Sequence, residues 1–326
     1  MNSKYFQNKL VTGSIPLLVA SIIASVYWLL TPESGDALTD SSHLIRELTA
    51  AYPYFRFYNL CGYLLLIFSM WMIWGTVTRH VVIRVPSTLY LSVFILLSVI
   101  FLPHMLQTGN ILVCLLLGSF FFLFHTYQRI EPVSLTFQGF FLYGIASLFF
   151  PQLLWLLPLF IIMQAGLYNV TVRTLFAGIM GFILPYWFLL GYTSYIRDWS
   201  LFSVFFQEIS DFRSIDYSCI SISEWINLAA MLLMTLWCAV QYAGNNYQDK
   251  IRTRVFMFYI MTTEAIILLM LFLQPHLHAL LLPLAITCSS IIIGQYFAVT
   301  RSKQSFISLI ILLVMLVALF ILNIWM

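Results

Sequence analysis

Forty-one consecutive residues without a charged side chain, Pro132 to Val172, stand between Glu131 and Arg173. As one helix they would extend roughly 60 Å at ~1.5 Å per residue, about twice the hydrocarbon thickness of a bilayer. One crossing cannot hold them. The run divides at Pro151, because proline has no amide donor and disfavours helical geometry at Phe150. Two arms result, about 134–150 and 152–167. The second arm either crosses fully or enters and returns on the same side, and charge separates the two cases. With two crossings, Arg173, Lys250, Arg252, Arg254, Arg301 and Lys303 share one side, and only Arg197 and Arg213 lie opposite. A re-entrant arm would reverse that ratio against the positive-inside tendency, so a hairpin of two crossings is expected.

Apolar residues make up 62% of the 326 and charged residues 8%, several times more apolar surface than a soluble core buries. The class is all-α, a polytopic transmembrane helical bundle. A β-barrel is excluded, since its strands alternate apolar and polar residues whereas these runs are continuous. The formal charge of +3 arises from loops, and no basic patch interleaved with aromatics points to nucleic acid. Of the five cysteines, Cys61, Cys114, Cys238 and Cys288 fall in expected spans and Cys219 in a loop, with no CxxC spacing; they read as small buried apolar residues. Lys4 and Lys9 precede an apolar segment ending in Tyr27-Trp28, an interfacial anchor, so this segment is expected to stay as the first span.

Eleven spans are expected in one integral membrane domain over 1–326: about 15–31, 57–78, 87–102, 110–127, 134–150, 152–167, 174–195, 223–243, 255–273, 279–299 and 306–326. The larger outer loops are 32–56 and 196–222. This threading puts the N-terminus inside, the C-terminus outside, and eleven of the fifteen Lys and Arg residues inside.

Four groups of residues bear on chemistry. Glu264 is the one acid well inside a span. A charge there is costly, so its carboxyl is either neutral and hydrogen-bonded or faces a hydrated cavity, and no second acid or lysine in the spans makes a relay with it. Thr174, Gly178, Gly181 and Pro185 recur at steps of four, three and four on the seventh span, a face on which another backbone can approach closely, within the bundle or from a partner subunit. His104, His276 and His278 lie at outer turns. Two imidazoles without a neighbouring carboxylate are weak evidence for metal, and no metal or other cofactor is expected. In the outer loops, Glu33 and Asp36 follow the first span, while Arg56, Asp211 and Arg213 carry charges suited to holding a phosphate or activating an acceptor. Solvated loops account for the same residues.

With many spans, acids soon after the first span and chemistry expected outside, the arrangement resembles the glycosyltransferase C superfamily in topology. A first loop of 25 residues is short for that class. A second resemblance rests on Asn110-Ile111-Leu112-Val113, on ASLFFP at 146–151 and on YNVTVRTLFAGIMGFILPYWFLLGY at 168–192. These are similar to an uncharacterised bacterial multipass family, a domain of unknown function with an SLF-aromatic-Pro hairpin, an inner-loop arginine and a GxxxP element, here Gly181 to Pro185. That family commonly has an acid after the arginine, where this chain has Thr174. The resemblance implies a bacterial inner-membrane location and no activity.

Three functions are expected as alternatives. The first is action on a lipid-linked envelope substrate at the periplasmic face, with Glu33 and Asp36 catalytic and Arg56, Asp211 and Arg213 binding. The second is a proton- or cation-coupled carrier using Glu264. The third is a non-catalytic subunit docking on other membrane subunits. The lipid bilayer is a partner in all three.

Overall fold

The computed structural model describes residues 13–30, 55–104, 106–167, 169–197, 199, 217, 220–245, 247, 249–300 and 303–325. Among them the secondary structure is helical throughout. The α-helices are α1 (Ile15–Leu30), α2 (Phe55–His80), α3 (Leu89–Phe101), α4 (Thr108–His125), α5 (Val133–Phe149), α6 (Leu157–Gly166), α7 (Val172–Ile196), α8 (Ile222–Asn245), α9 (Ile251–Leu273), α10 (His278–Val299) and α11 (Lys303–Trp325). Seven helical segments are long and apolar enough to cross a membrane: 58–80, 108–125, 172–196, 222–245, 251–273, 275–299 and 304–322. The apolar helices over 15–30, 89–101, 133–149 and 151–166 are shorter. The protein is thus an all-helical, multi-pass membrane protein.

Its contacts form two compact units, Met1–Asn110 with Asp216–Met326, and Ile111–Ile215. In the unit 111–215, α5 ends at Phe149 and Phe150 is extended, with φ −143° and ψ 90°. The expected arm from 152 is not α-helical at its start: Pro151–Leu156 winds as 3₁₀-helix, and the α-helix resumes at Leu157. Across the break the Tyr143 hydroxyl of α5 donates to Leu153 O in the 3₁₀ segment, tying the two arms together. The Tyr143 ring also stacks on Phe160 of α6, centroids 4.1 Å apart. The chain then returns to the end where α5 began. Leu167 O accepts from Gln128 N at 3.1 Å, and Asn169 Nδ2 donates to Thr126 Oγ1 at 2.5 Å.

Helix α7 therefore starts beside the start of α5, where Arg173 pairs with Glu131 at 2.9 Å. The two helices run parallel, and at the far end Ser147 Oγ and Tyr186 Oη share a 2.6 Å hydrogen bond. Between those points the backbones nearly touch. A Cβ on Gly181 would overlap the carbonyl of Phe137, and one on Gly144 would overlap that of Phe182. Helix α7 opens with a capping box in which the Thr171 side chain accepts from Thr174 N and the Thr174 side chain accepts from Thr171 N at 2.9 Å.

In the other unit, α3 and α10 form the interior. Every α3 residue but Leu96 is buried, as is every α10 residue from Pro283 to Ala298, so both helices are enclosed on all sides. They cross closely, because Gly294 rests on the backbone of Tyr90. Helices α1, α2, α8, α9 and α11 surround them, and their directions alternate. Helices α1 and α3 start together, with Thr88 Oγ1 donating to Gly13 O at 2.7 Å. Helix α2 runs back along α1, with Ser25 bonded to Tyr63 at 2.5 Å and Trp28 Nε1 donating to Asn59 O at 3.2 Å.

The α5–α7 approach predicts that Gly181→Leu lowers the thermal unfolding midpoint in detergent, at an overpacking cost of about 1–3 kcal/mol or more. Gly191→Leu, on the same helix with open space around it, leaves the midpoint unchanged.

Candidate functional site

Helix α9 turns Phe256, Ile260, Thr263, Glu264, Ile267 and Leu271 inward, a stripe at spacings of three and four with one acid in it. Glu264 is 4% exposed. Its Oε1 accepts from Ser289 Oγ of α10 at 2.5 Å, and its Oε2 has no hydrogen-bond partner. Three buried hydroxyl residues lie together on α10, and two of them bond their own helix: Thr287 donates to Pro283 O and Ser290 to Thr287 O, both at 2.8 Å. Ser289 alone reaches across to the acid. Cys288, buried, precedes it.

A second buried acid rests on the same helix. The Asp249 side chain, in the α8–α9 connection, is 1% exposed; Gln295 Nε2 of α10 donates to its Oδ2 at 3.1 Å, and Arg84 Nη1 lies 3.9 Å from its Oδ1. Ser289 and Gln295 are six positions apart on α10, about 9 Å along the axis at ~1.5 Å per residue. Asp249 is thus a second buried acid, placed in a connection and not within a span. Sequence reasoning passed over Asp249, Gln295 and Ser289. The available signal was a glutamine inside the apolar run of α10 and one acid beside the basic Lys250, Arg252 and Arg254.

The histidines sit in two places. His104 is buried, with its ring 4.6 Å from that of Trp28 and Nε2 3.1 Å from Val99 O, while its own carbonyl accepts from Asn59 Nδ2 at 2.7 Å. His278 has the neighbouring carboxylate that the sequence did not reveal: its Nε2 is 3.7 Å from Glu224 Oε1, and its Nδ1 is 3.2 Å from Pro275 O. Glu224 in turn accepts from Ser221 N and Oγ, each at 2.8 Å. Among the described residues no group of three or more His, Cys, Asp or Glu side chains is placed to hold a metal ion.

Thr174, Gly178, Gly181 and Pro185 are buried on one face of α7, and α5 covers that face through Phe137, Phe140 and Gly144. The surface offered by sequence to a partner subunit is thus occupied by the chain itself. Glu33, Asp36, Asp211 and Arg213 lie outside the described residues, and of Arg56 only its place in α2 is described.

The chain matches no family model, and neither a curated protein nor a solved structure matches it.

Because the Glu264–Ser289 bond links α9 to α10, Ser289→Ala lowers stability in detergent by about 1 kcal/mol, the scale of a hydrogen bond between membrane helices. Ser290→Ala, which removes only a bond within α10, changes the midpoint by less; equal effects of the two substitutions would contradict the assignment.

Proposed function

We propose that the protein is a proton- or cation-coupled carrier of the bacterial inner membrane, with Glu264 as the coupling group. The observation that carries this reading is the Glu264 carboxyl itself, buried in the middle of α9 with one oxygen held by Ser289 and the other without a partner. Ionisable side chains at such depth are costly, and where they persist they commonly serve ion or proton pathways. A carboxyl with one oxygen fixed and one open keeps its position while it gains or loses a proton or a small cation. Ser289 supplies the fixed point, since its hydroxyl can donate to the carboxylate or accept from the carboxylic acid.

The same reading takes the chain across the membrane eleven times, with the N-terminus inside and the C-terminus outside. Support comes from each unit considered by itself. In the unit 111–215, α5 and the segment 151–166 form a hairpin whose two ends meet at Gln128 and Leu167. In the other unit the basic Arg79, Arg84, Lys250 and Arg252 gather at the end where α2 stops and α9 starts, the charge pattern of a cytoplasmic face.

Purified protein in liposomes enclosing a pH indicator tests the coupling. Under an imposed cation gradient or membrane potential the wild type moves protons, Glu264→Gln moves at least tenfold fewer, and Glu264→Asp retains part of the flux. A wild type that moves none, or a Glu264→Gln variant equal to it, removes the reading. Topology has its own test: reporters fused after Ile130 and after Val170 should lie on the same side of the membrane, and one after Arg197 on the opposite side.

A further inference from the structure

Four polar contacts gather at the basic end of the unit that holds Glu264. Asp249 joins the α8–α9 connection to the end of α10 through Gln295 and to the α2–α3 connection through Arg84. Arg252 Nη2, at the start of α9, donates to His80 Nδ1 at 3.4 Å. Thr253 Oγ1 donates to Val81 O at 3.1 Å. These contacts tie α2 and the α2–α3 connection to α9 and the end of α10, and they lie nearer the basic end than the Glu264–Ser289 pair farther along α9 and α10.

Val81 adds an independent sign. Its φ is 53°, the left-handed region, which a β-branched side chain adopts only at a cost. It ends α2 in the position glycine usually takes, with Val82 N donating back to Val77 O at 3.0 Å. Its side chain is 51% exposed, so packing does not hold it there. Strain of that kind persists where surrounding contacts over-determine the backbone, and switch regions are among the places where it recurs. The bond from Thr253 is the contact that holds Val81 on the α9 side.

We infer that the Asp249–Gln295–Arg84 node, with Val81 and Thr253 beside it, is a gate that closes the basic end of the unit and opens to admit water to Glu264. This rests on the carrier reading of Glu264, for which each end must open in turn. The half-exposed Arg84 and the 3.9 Å separation from Asp249 make it the weaker contact, the one to release first. Asp249 and Gln295 then separate, and the Val81 strain favours the open arrangement.

Cys288, beside Ser289, is a native reporter of that opening. The experiment uses full-length protein in which the other four cysteines are serine, in membrane vesicles of either orientation, with a charged, membrane-impermeant thiol reagent. Asp249→Asn should raise the rate of Cys288 modification from the basic side roughly tenfold with no change from the opposite side. Val81→Gly, which relieves the strain and favours the closed form, should lower it. Arg84→Gln, a milder change at a half-exposed side chain, should raise it in the same direction should Asp249→Asn fail to accumulate. Rates that stay at the wild-type value in both Asp249→Asn and Arg84→Gln, or that rise equally from both sides, overturn the gate. The liposome experiment is separate: absence of proton movement removes the coupling role of Glu264, while the side-dependence of Cys288 modification still decides whether this end opens.

Discussion

Hydrocarbon offers no hydrogen-bond partners, so the backbone polar groups of the membrane-crossing segments must find their partners within the protein. Helices satisfy that condition for the backbone, which is why the described residues are helical and why the breaks are informative. At Pro151 the ladder is interrupted, and the Tyr143 hydroxyl supplies a donor to Leu153. At the start of α7 the free amides are met by the Thr171–Thr174 capping box. The side chains obey the same rule. Most buried serines and threonines bond the carbonyls of their own helix, whereas Ser119 of α4 reaches the carbonyl of Gly139 on α5 and Ser289 reaches Glu264.

The two units meet this constraint in different ways. One joins parallel helices α5 and α7 through glycine, so that carbonyl and Cα surfaces lie in contact and little side-chain volume separates them. The other surrounds two buried helices, α3 and α10, and places its polar groups where α10 can be reached from α9 and from the connections. That division puts close backbone packing in the glycine seam and buried polar side chains along α10. The two buried acids, Glu264 on α9 and Asp249 in the α8–α9 connection, both take their partners, Ser289 and Gln295, from α10.

Much of the architecture was legible from hydropathy and proline. The break at Pro151 follows from the missing amide donor, and the helix limits follow the charged residues at the ends of the apolar runs. The 3₁₀ winding of Pro151–Leu156 was not legible, because proline marks where a helix breaks and not how the chain winds beyond it. Glu264 stood out as an acid in an apolar run, whereas Asp249 looked like one more loop charge. Its burial arises from the return of the α2–α3 connection and the end of α10, contacts separated by long stretches of sequence. The small residues of α7 were legible as a packing face but not their partner. Gly144 and the carbonyl of Phe137, which complete the seam on α5, have no pattern of their own. Thr174 reads as a substitution for an acid in the sequence and as a helix cap in the fold.

Parallel pairing of α5 with α7 also sets a schedule for assembly. The residues joined by the Ser147–Tyr186 bond are 39 positions apart, and the returning arm of the hairpin is made between them. At roughly 5–20 residues per second of synthesis, α5 leaves the ribosome about 2 to 8 seconds before the matching part of α7 exists. During that interval its glycine surface faces lipid or the insertion machinery. A newborn chain of this protein thus carries, for seconds, an unfilled seam that any other small-faced helix nearby can occupy.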